Sequence, residues 1–300
     1  MVAKKREGPK HRVGPYIGLA PAYLIALGIY IFAMAWTIWI SLTNSKMLPV
    51  NHFVGFAQYN RLFSDDRWQV SVTNLGIFLV VFVGLSLALG LLMAIALDQK
   101  IRFEDGLRTL YLYPQGMSFI VTGLVWQWIL NPQLGLQQVF HNLGMTGVTI
   151  DWLIRPDTAI CVVALAGVWQ ASGLVMAIML AGLRGIDEDL VKAAKVEGIS
   201  PYRFYRHIVI PLLTPMFATA IVLLSVGGVK VYDLVVALTN GGPGISTEVP
   251  AKYVMEFLFR RANVGLASAA ATVMFIAVIA VVVPYIYLQE FRSKRARKPV

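Results

Sequence analysis

The sequence predicts an all-α integral membrane protein with six transmembrane helices, and three observations carry that prediction. First, 57% of the 300 residues are hydrophobic and only 14% are charged, with a mean hydropathy of +0.67. A soluble globular domain does not have this composition. Second, six stretches lack Asp, Glu, Lys and Arg altogether: 13–42, 75–97, 109–130, 159–183, 208–229 and 267–288. Each is long enough as a helix to cross about 30 Å of hydrocarbon. Third, the Lys and Arg residues are sorted by side. Eighteen of the 26 fall before the first stretch, between the second and third, between the fourth and fifth, or after the sixth. Positive charge concentrates on the cytoplasmic side, so both termini and the segment 184–207 are expected there.

Taken in order, the chain opens with a basic cytoplasmic terminus, residues 1–12, carrying Lys4, Lys5, Arg6, Lys10 and Arg12. The apolar run behind it is too long for a signal peptide and predicts an uncleaved first helix. Residues 43–74 and 131–158 are loops rich in Gly, Asn, Pro and aromatics, suited to short caps at the far membrane face. They leave no room for a separate soluble domain. The six-helix domain spans 13–290, and residues 291–300 form a second basic cytoplasmic tail. The formal charge of +10 is explained by this topology and not by nucleic-acid binding. Cys161 is the sole cysteine, so no intrachain disulfide forms, and in its apolar run it is expected to act as a small packing residue.

The longest strongly charged interval inside the apolar sequence is 187–211. Asp187, Glu188 and Asp189 place acceptors and negative charge where a helix start favours them. Leu190, Val191, Ala194 and Val196 are expected to form a modest apolar stripe. Gly198 suits a left-handed helix stop, and Ser200-Pro201 suits the opening of a second helix. A helix, a Gly-centred turn and a helix at the membrane surface make a projecting knob, a shape suited to docking.

This stretch resembles the cytoplasmic coupling loop of importer-type ABC transporter permeases: Glu-Ala-Ala, three residues, Gly, then after nine residues Ile-x-Leu-Pro. The counterparts here are Lys192, Ala193, Ala194, Gly198, Ile208, Ile210 and Pro211, with the spacing kept. Lys192 reverses the charge of the family's Glu, so a salt bridge made by that Glu does not carry over. A second resemblance, to carbohydrate ABC permeases of the maltose and glycerol-3-phosphate type, lies in Leu238-Thr239-Asn240-Gly241-Gly242-Pro243-Gly244 and in Gly265-Leu266-Ala267-Ser268-Ala269. The resemblance implies an importer-type permease fold in a bacterial cytoplasmic (inner) membrane, with Lys192, Ala193, Ala194, Glu197, Gly198, Ile208 and Pro211 coupling it to an ATPase. It also implies the partners: a second homologous permease, an ABC ATPase dimer and a periplasmic or tethered sugar-binding protein. Monosaccharides, disaccharides and glycerol-phosphate-like solutes stay open, with glucose or mannose the guess from general similarity.

No Gly-Lys dipeptide occurs, so the chain has no Walker A phosphate loop; ATP and Mg would be used by the partner, and this chain is expected to hold no cofactor or metal. The alternative is an ion-coupled secondary transporter, which usually needs a buried carboxylate or His. All sixteen Asp and Glu fall outside the six stretches, against that alternative. A membrane enzyme would need a nucleophile with its base or a ligand cluster, whereas the four His and Cys161 are dispersed. A sugar path needs hydroxyl-matching polar groups inside the spans. Gln127, between Trp126 and Trp128, Gln170, Ser225 and Gly228 are the candidates, and interhelical packing is the competing role for each. The family's path is lined by the helices flanking the coupling loop, which favours Gln170, Ser225 and Gly228. The Gly227-Gly228 pair is expected to loosen its helix, and Lys230 and Asp233 are expected to form an interfacial ion pair.

Overall fold

A computed structural model describes residues 13–48, 52–99, 102–145, 147 and 149–296. The predicted basic terminus 1–12, and the predicted tail beyond residue 296, lie outside the described residues. Helices α1 (Val13–Ser41), α2 (Ala57–Phe63), α3 (Asp66–Asp98), α4 (Glu104–Leu112), α5 (Phe119–Ile129), α6 (Leu136–Asn142) and α7 (Pro156–Arg184) form the first half. The second half holds α8 (Glu188–Val196), α9 (Pro201–Phe204), α10 (Ile210–Leu212), α11 (Thr214–Val229), α12 (Asp233–Leu238), α13 (Pro250–Met255) and α14 (Val264–Ala296). Among the described residues the only strand-like feature is an isolated bridge between Thr43 and Phe53.

Among the described residues four helices are long and apolar enough to span: α1 from Gly18, α3, α7 and α14 to Tyr287. The fifth predicted span is a bent pair, Pro201–Leu212 and Thr214–Val229, meeting at 64°. Pro215, in the first turn of α11, has no N–H to offer the preceding turn, and its ring crowds the carbonyl of Pro211 four residues back. The third predicted span is not one helix. Pro114 and Gly116 sit in a 3-10 turn, Tyr113–Gly116, and Met117 is extended before α5 begins at the N-cap Ser118. Eleven residues of α5 rise only about 16 Å, half the hydrocarbon thickness. The six-helix count therefore becomes four unbroken spans, one bent span and one interrupted segment.

The second span starts earlier than predicted because the Asp65 side chain accepts the Arg67 N–H at 3.0 Å and caps the helix there. The loop expected over 43–74 thus contains α2 and the first turns of α3. Helices α3 and α7 pack along their length through Phe78, Phe82, Ala164, Ala171, Val175, Met176 and Met179, all buried. A Cβ on Gly90 would lie 2.5 Å from Val175 Cγ1, so the backbones approach as closely as only glycine permits. A second cluster at the far end from the 187–211 knob gathers Leu62, Trp68, Tyr253, Phe257, Leu266, Ala267 and Ala269.

That far end also holds a charge cluster. Glu248 lies outside every span but is wholly buried, and Arg67 grips it with two bonds of 2.8 Å, from Nε and Nη2. Lys252 Nζ stands 3.8 Å from the same carboxylate, and Glu256 stands 3.8 Å from Arg67. Asn74 Nδ2 donates to the Glu248 carbonyl at 2.9 Å. Burial, with the bond its hydroxyl donates to Asp65 at 2.7 Å, pushes the Tyr253 phenol far above the ordinary tyrosine range. The Lys230–Asp233 pair does not form: α11 ends at Lys230, the backbone turns at Tyr232, and Asp233 opens a separate helix.

Gly90→Leu is expected to force α3 and α7 apart and cost about 1–3 kcal/mol, as overpacking of a tight core does. A lowered melting temperature of the purified protein in detergent is the expected reading, whereas Gly76→Leu, at a glycine with nothing within 4 Å, should leave it in place.

Candidate functional site: the knob at 187–211

The knob is built as its residue types dictate. Asp187 accepts the Asp189 N–H at 2.9 Å and caps α8. At the other end Gly198 N–H bonds the Lys195 carbonyl at 3.2 Å and Ile199 N–H bonds the Ala194 carbonyl at 3.0 Å. This paired closure is the Schellman stop, and it sets Gly198 at φ +66°, where a side chain is disfavoured. Ser200 occupies the N-cap position of α9 with Pro201 behind it, although its side chain makes no capping bond. The second helix of the knob does not stop at the membrane. It continues through a π-helical turn, Tyr205–Val209, into α10 and the bent fifth span.

The predicted apolar stripe on α8 divides into two faces. Ala194 is buried and Val191 half-buried against the bundle, whereas Leu190 is exposed and Val196 is 89% exposed. At 100° per residue positions 191 and 194 lie within 60° of one another with 190 at the edge of the same side, whereas 196 falls on the opposite side. Val196 on α8 and Tyr202 on α9, the latter 68% exposed, are the most exposed large apolar side chains of the knob, so Val196 leaves the single stripe expected of α8. Lys192 bonds Asp189 at 3.0 Å and lies 3.8 Å from Glu188. Both pairs are solvated, so they orient the lysine with little gain in stability. Ala193 and Glu197 are exposed, Glu197 as the residue closing α8; Ile208 is half-buried and Pro211 exposed.

Two polar ties hold the knob to the bundle. Arg184, at the end of α7, pairs with Glu104 in the first turn of α4. Gln99 Nε2 donates to the Tyr205 hydroxyl at 3.3 Å. Between knob and bundle lies a cavity of about 780 Å³, lined by Asp98, Glu104, Arg184, Lys192, Phe204 and Tyr205 among others.

The four path candidates lie on three helices, and no hydrogen bond links any two of them. Gln127 is exposed on α5 and Ser225 half-buried on α11. Gly228 is buried against Phe78, Leu79 and Phe82 of α3, so α11 stays helical through the glycine pair, contrary to the expected loosening. Gln170 is buried on α7, and its Nε2 donates to the Met117 carbonyl at 2.7 Å, which secures the interruption of the third segment. Its Oε1 has no partner, nor has the indole N–H of Trp126, which stands edge-on to Trp169 at 6.3 Å. Trp126, packed on Trp169 of α7, adds a buried donor that was not among the candidates. Among the described residues no three His, Cys, Asp or Glu gather as metal ligands.

Residues 86–298, including the whole knob, match the family of the binding-protein-dependent transport system inner membrane component. The chain is a member of that family. This permease is 40% identical to a probable ABC transporter permease of Pyrococcus horikoshii, over 91% of its own length and 95% of the relative's. It is 34% identical to the xylose/arabinose import permease of Haloferax volcanii, covering 93% and 88% of the two chains. The fold matches a crystal structure of a bacterial ABC transporter involved in alginate import, with a TM-score of 0.75, 17% identity and coverage of 94% and 96%. The protein is thus a multi-pass membrane component of a transport system and not itself an enzyme.

Gly198→Val in this permease would force a β-branched residue to positive φ, a strain of about 1–2 kcal/mol or more confined to the turn. The expected result is normal membrane insertion with loss of solute uptake and of ATPase stimulation; unchanged uptake and stimulation would show that the turn does not matter.

Proposed function

We propose that this permease is one of two membrane subunits of an ATP-driven sugar importer, and that the knob receives the work of a separate ATPase. The apolar side chains exposed on the knob carry the proposal: Val196 of α8 and Tyr202 of α9 stand out from a projection tied to the bundle through Gln99 and Tyr205, as a docking element requires. Lys192, Ala193, Ala194, Glu197 and Gly198 shape that projection, with Ile208 and Pro211 leading it into the bent span. The knob end also collects Arg102, Arg108, Arg184, Lys195, Arg203 and Arg206, which supports a cytoplasmic position for it and for both termini. ATP and Mg then belong to the ATPase dimer, and this chain holds no cofactor.

Sugar as the solute is supported by the xylose/arabinose relative and by a 29% identical trehalose/maltose permease of Thermococcus litoralis. Delivery by a periplasmic or tethered binding protein agrees with the family description and with an alginate transporter captured with its ligand-bound periplasmic protein, similar at TM-score 0.73. A second homologous permease would complete the path. Within this subunit Gln170 Oε1 and Trp126 N–H offer an acceptor and a donor to sugar hydroxyls, and Ser225 and the exposed Gln127 offer further polar groups. Gly228 serves α3 packing in the same helix. In the proposed cycle, closure of the ATPase pair moves the knobs together and opens the far side, and hydrolysis resets the inward-facing state.

The complete complex in proteoliposomes, with ATP inside and labelled glucose, xylose or maltose outside, is expected to accumulate one of these sugars without an ion gradient. Val196→Asp is expected to abolish co-purification of the ATPase and uptake together. Uptake by the permease alone, driven by a proton or sodium gradient, would replace this proposal with ion-coupled transport.

A further inference from the structure

The ends of α3 carry polar ties to two different parts of the chain. Its C-cap Gln99 donates to the Tyr205 hydroxyl at the exit of the knob, and a separate tie joins Glu104 of α4 to Arg184 at the end of α7, where the knob begins. At its other end Arg67, in the first turn, makes the two 2.8 Å bonds to Glu248, and Asn74 two turns later donates to the Glu248 carbonyl. Glu248 lies in the segment joining α12 to α13, which contains the Thr239-to-Gly244 motif and contacts no part of the knob. That segment is internally ordered: Thr247 Oγ1 donates to the Gly242 carbonyl at 2.9 Å, and the Lys252 side chain lies across Gly241. It therefore moves as a piece with whatever holds Glu248.

Between its two sets of ties α3 is a single 33-residue helix without proline, about 50 Å long. The bent span that follows the knob directly is a poorer lever, because its 64° break lies between the knob and the far side.

We propose that α3 is the rod by which movement of the knob reaches the far loop, and that the Arg67–Glu248 pair is its outer fastening. The proposal rests on the knob being the ATPase contact. Arg67 and Glu248 are positioning residues: they touch neither solute nor nucleotide. A bidentate pair fixes orientation as well as distance, so a tilt of α3 carries the loop with it. Slippage would take both 2.8 Å bonds from a buried carboxylate and leave it the looser 3.8 Å pairing with Lys252, so the fastening holds while the helix moves. A binding protein docked at the far side would signal inward along the same rod.

The test uses the reconstituted complex of both permeases, ATPase and binding protein. Arg67→Lys keeps the counter-charge and removes the two-point grip; Asn74→Leu removes the second tie without touching a charge. Each is expected to retain the ATPase and basal hydrolysis, and to lose stimulation by loaded binding protein by a factor on the order of ten, the usual size of a coupling between sites. Full stimulation in both variants, at unchanged melting temperature, would overturn the proposal; if Arg67→Lys does not fold, Asn74→Leu decides. Val196→Asp in the same assay separates the two readings. Loss of ATPase there with full stimulation in Arg67→Lys and Asn74→Leu removes the rod alone, whereas normal behaviour of Val196→Asp removes the knob reading and the rod with it.

Discussion

Everything in this fold is hung on the close approach of α3 and α7. Lipid gives no hydrophobic drive to pair two apolar helices, so the pairing depends on contact area and shape. Gly90 against Val175, and Phe82 over Gly167, let the two backbones come close enough for the Phe78, Met176 and Met179 side chains to interlock. The pair fixes the positions of the other parts. The C-terminal end of α7 runs into the knob, its middle supports the interrupted third segment through Gln170, and the N-terminal end of α3 holds Glu248.

Interruptions of the spans are where polar groups work. The turn at Pro114–Gly116 frees the Met117 carbonyl, and buried Gln170 answers it. Non-helical backbone at membrane depth is tolerated when protein satisfies it. The same Gln170 keeps an unpartnered oxygen, so one residue serves packing and remains a candidate for the proposed sugar path. Whether a polar side chain in a span packs or binds is therefore a false choice at this position.

The two faces of the molecule are built differently because their tasks differ. At the knob the ion pairs of Lys192 are solvated and weak, and Val196 and Tyr202 stand exposed among the charges, as suits the proposed docking element. At the far end the charges are buried and geometrically exacting. Such a pair contributes orientation more than stability, because desolvation offsets much of its attraction.

The sequence by itself determined the membrane class, the unbroken apolar runs, and the local grammar of the knob. Those depend on composition and on contacts within a few residues: Asp187 capping α8, Gly198 closing it, Pro201 opening the next helix. It also marked the family through the spacing from Lys192 to Pro211. Tertiary structure alone decided how the break at Pro114 is answered and which side of α8 faces outward, since each depends on what the neighbouring helix can satisfy or cover, whereas the bend before Thr214 has a local mark in Pro215. It alone joined Arg67 to Glu248 across 181 residues of chain, a pairing with no local signal, because either side chain is by itself an ordinary charge near a membrane surface.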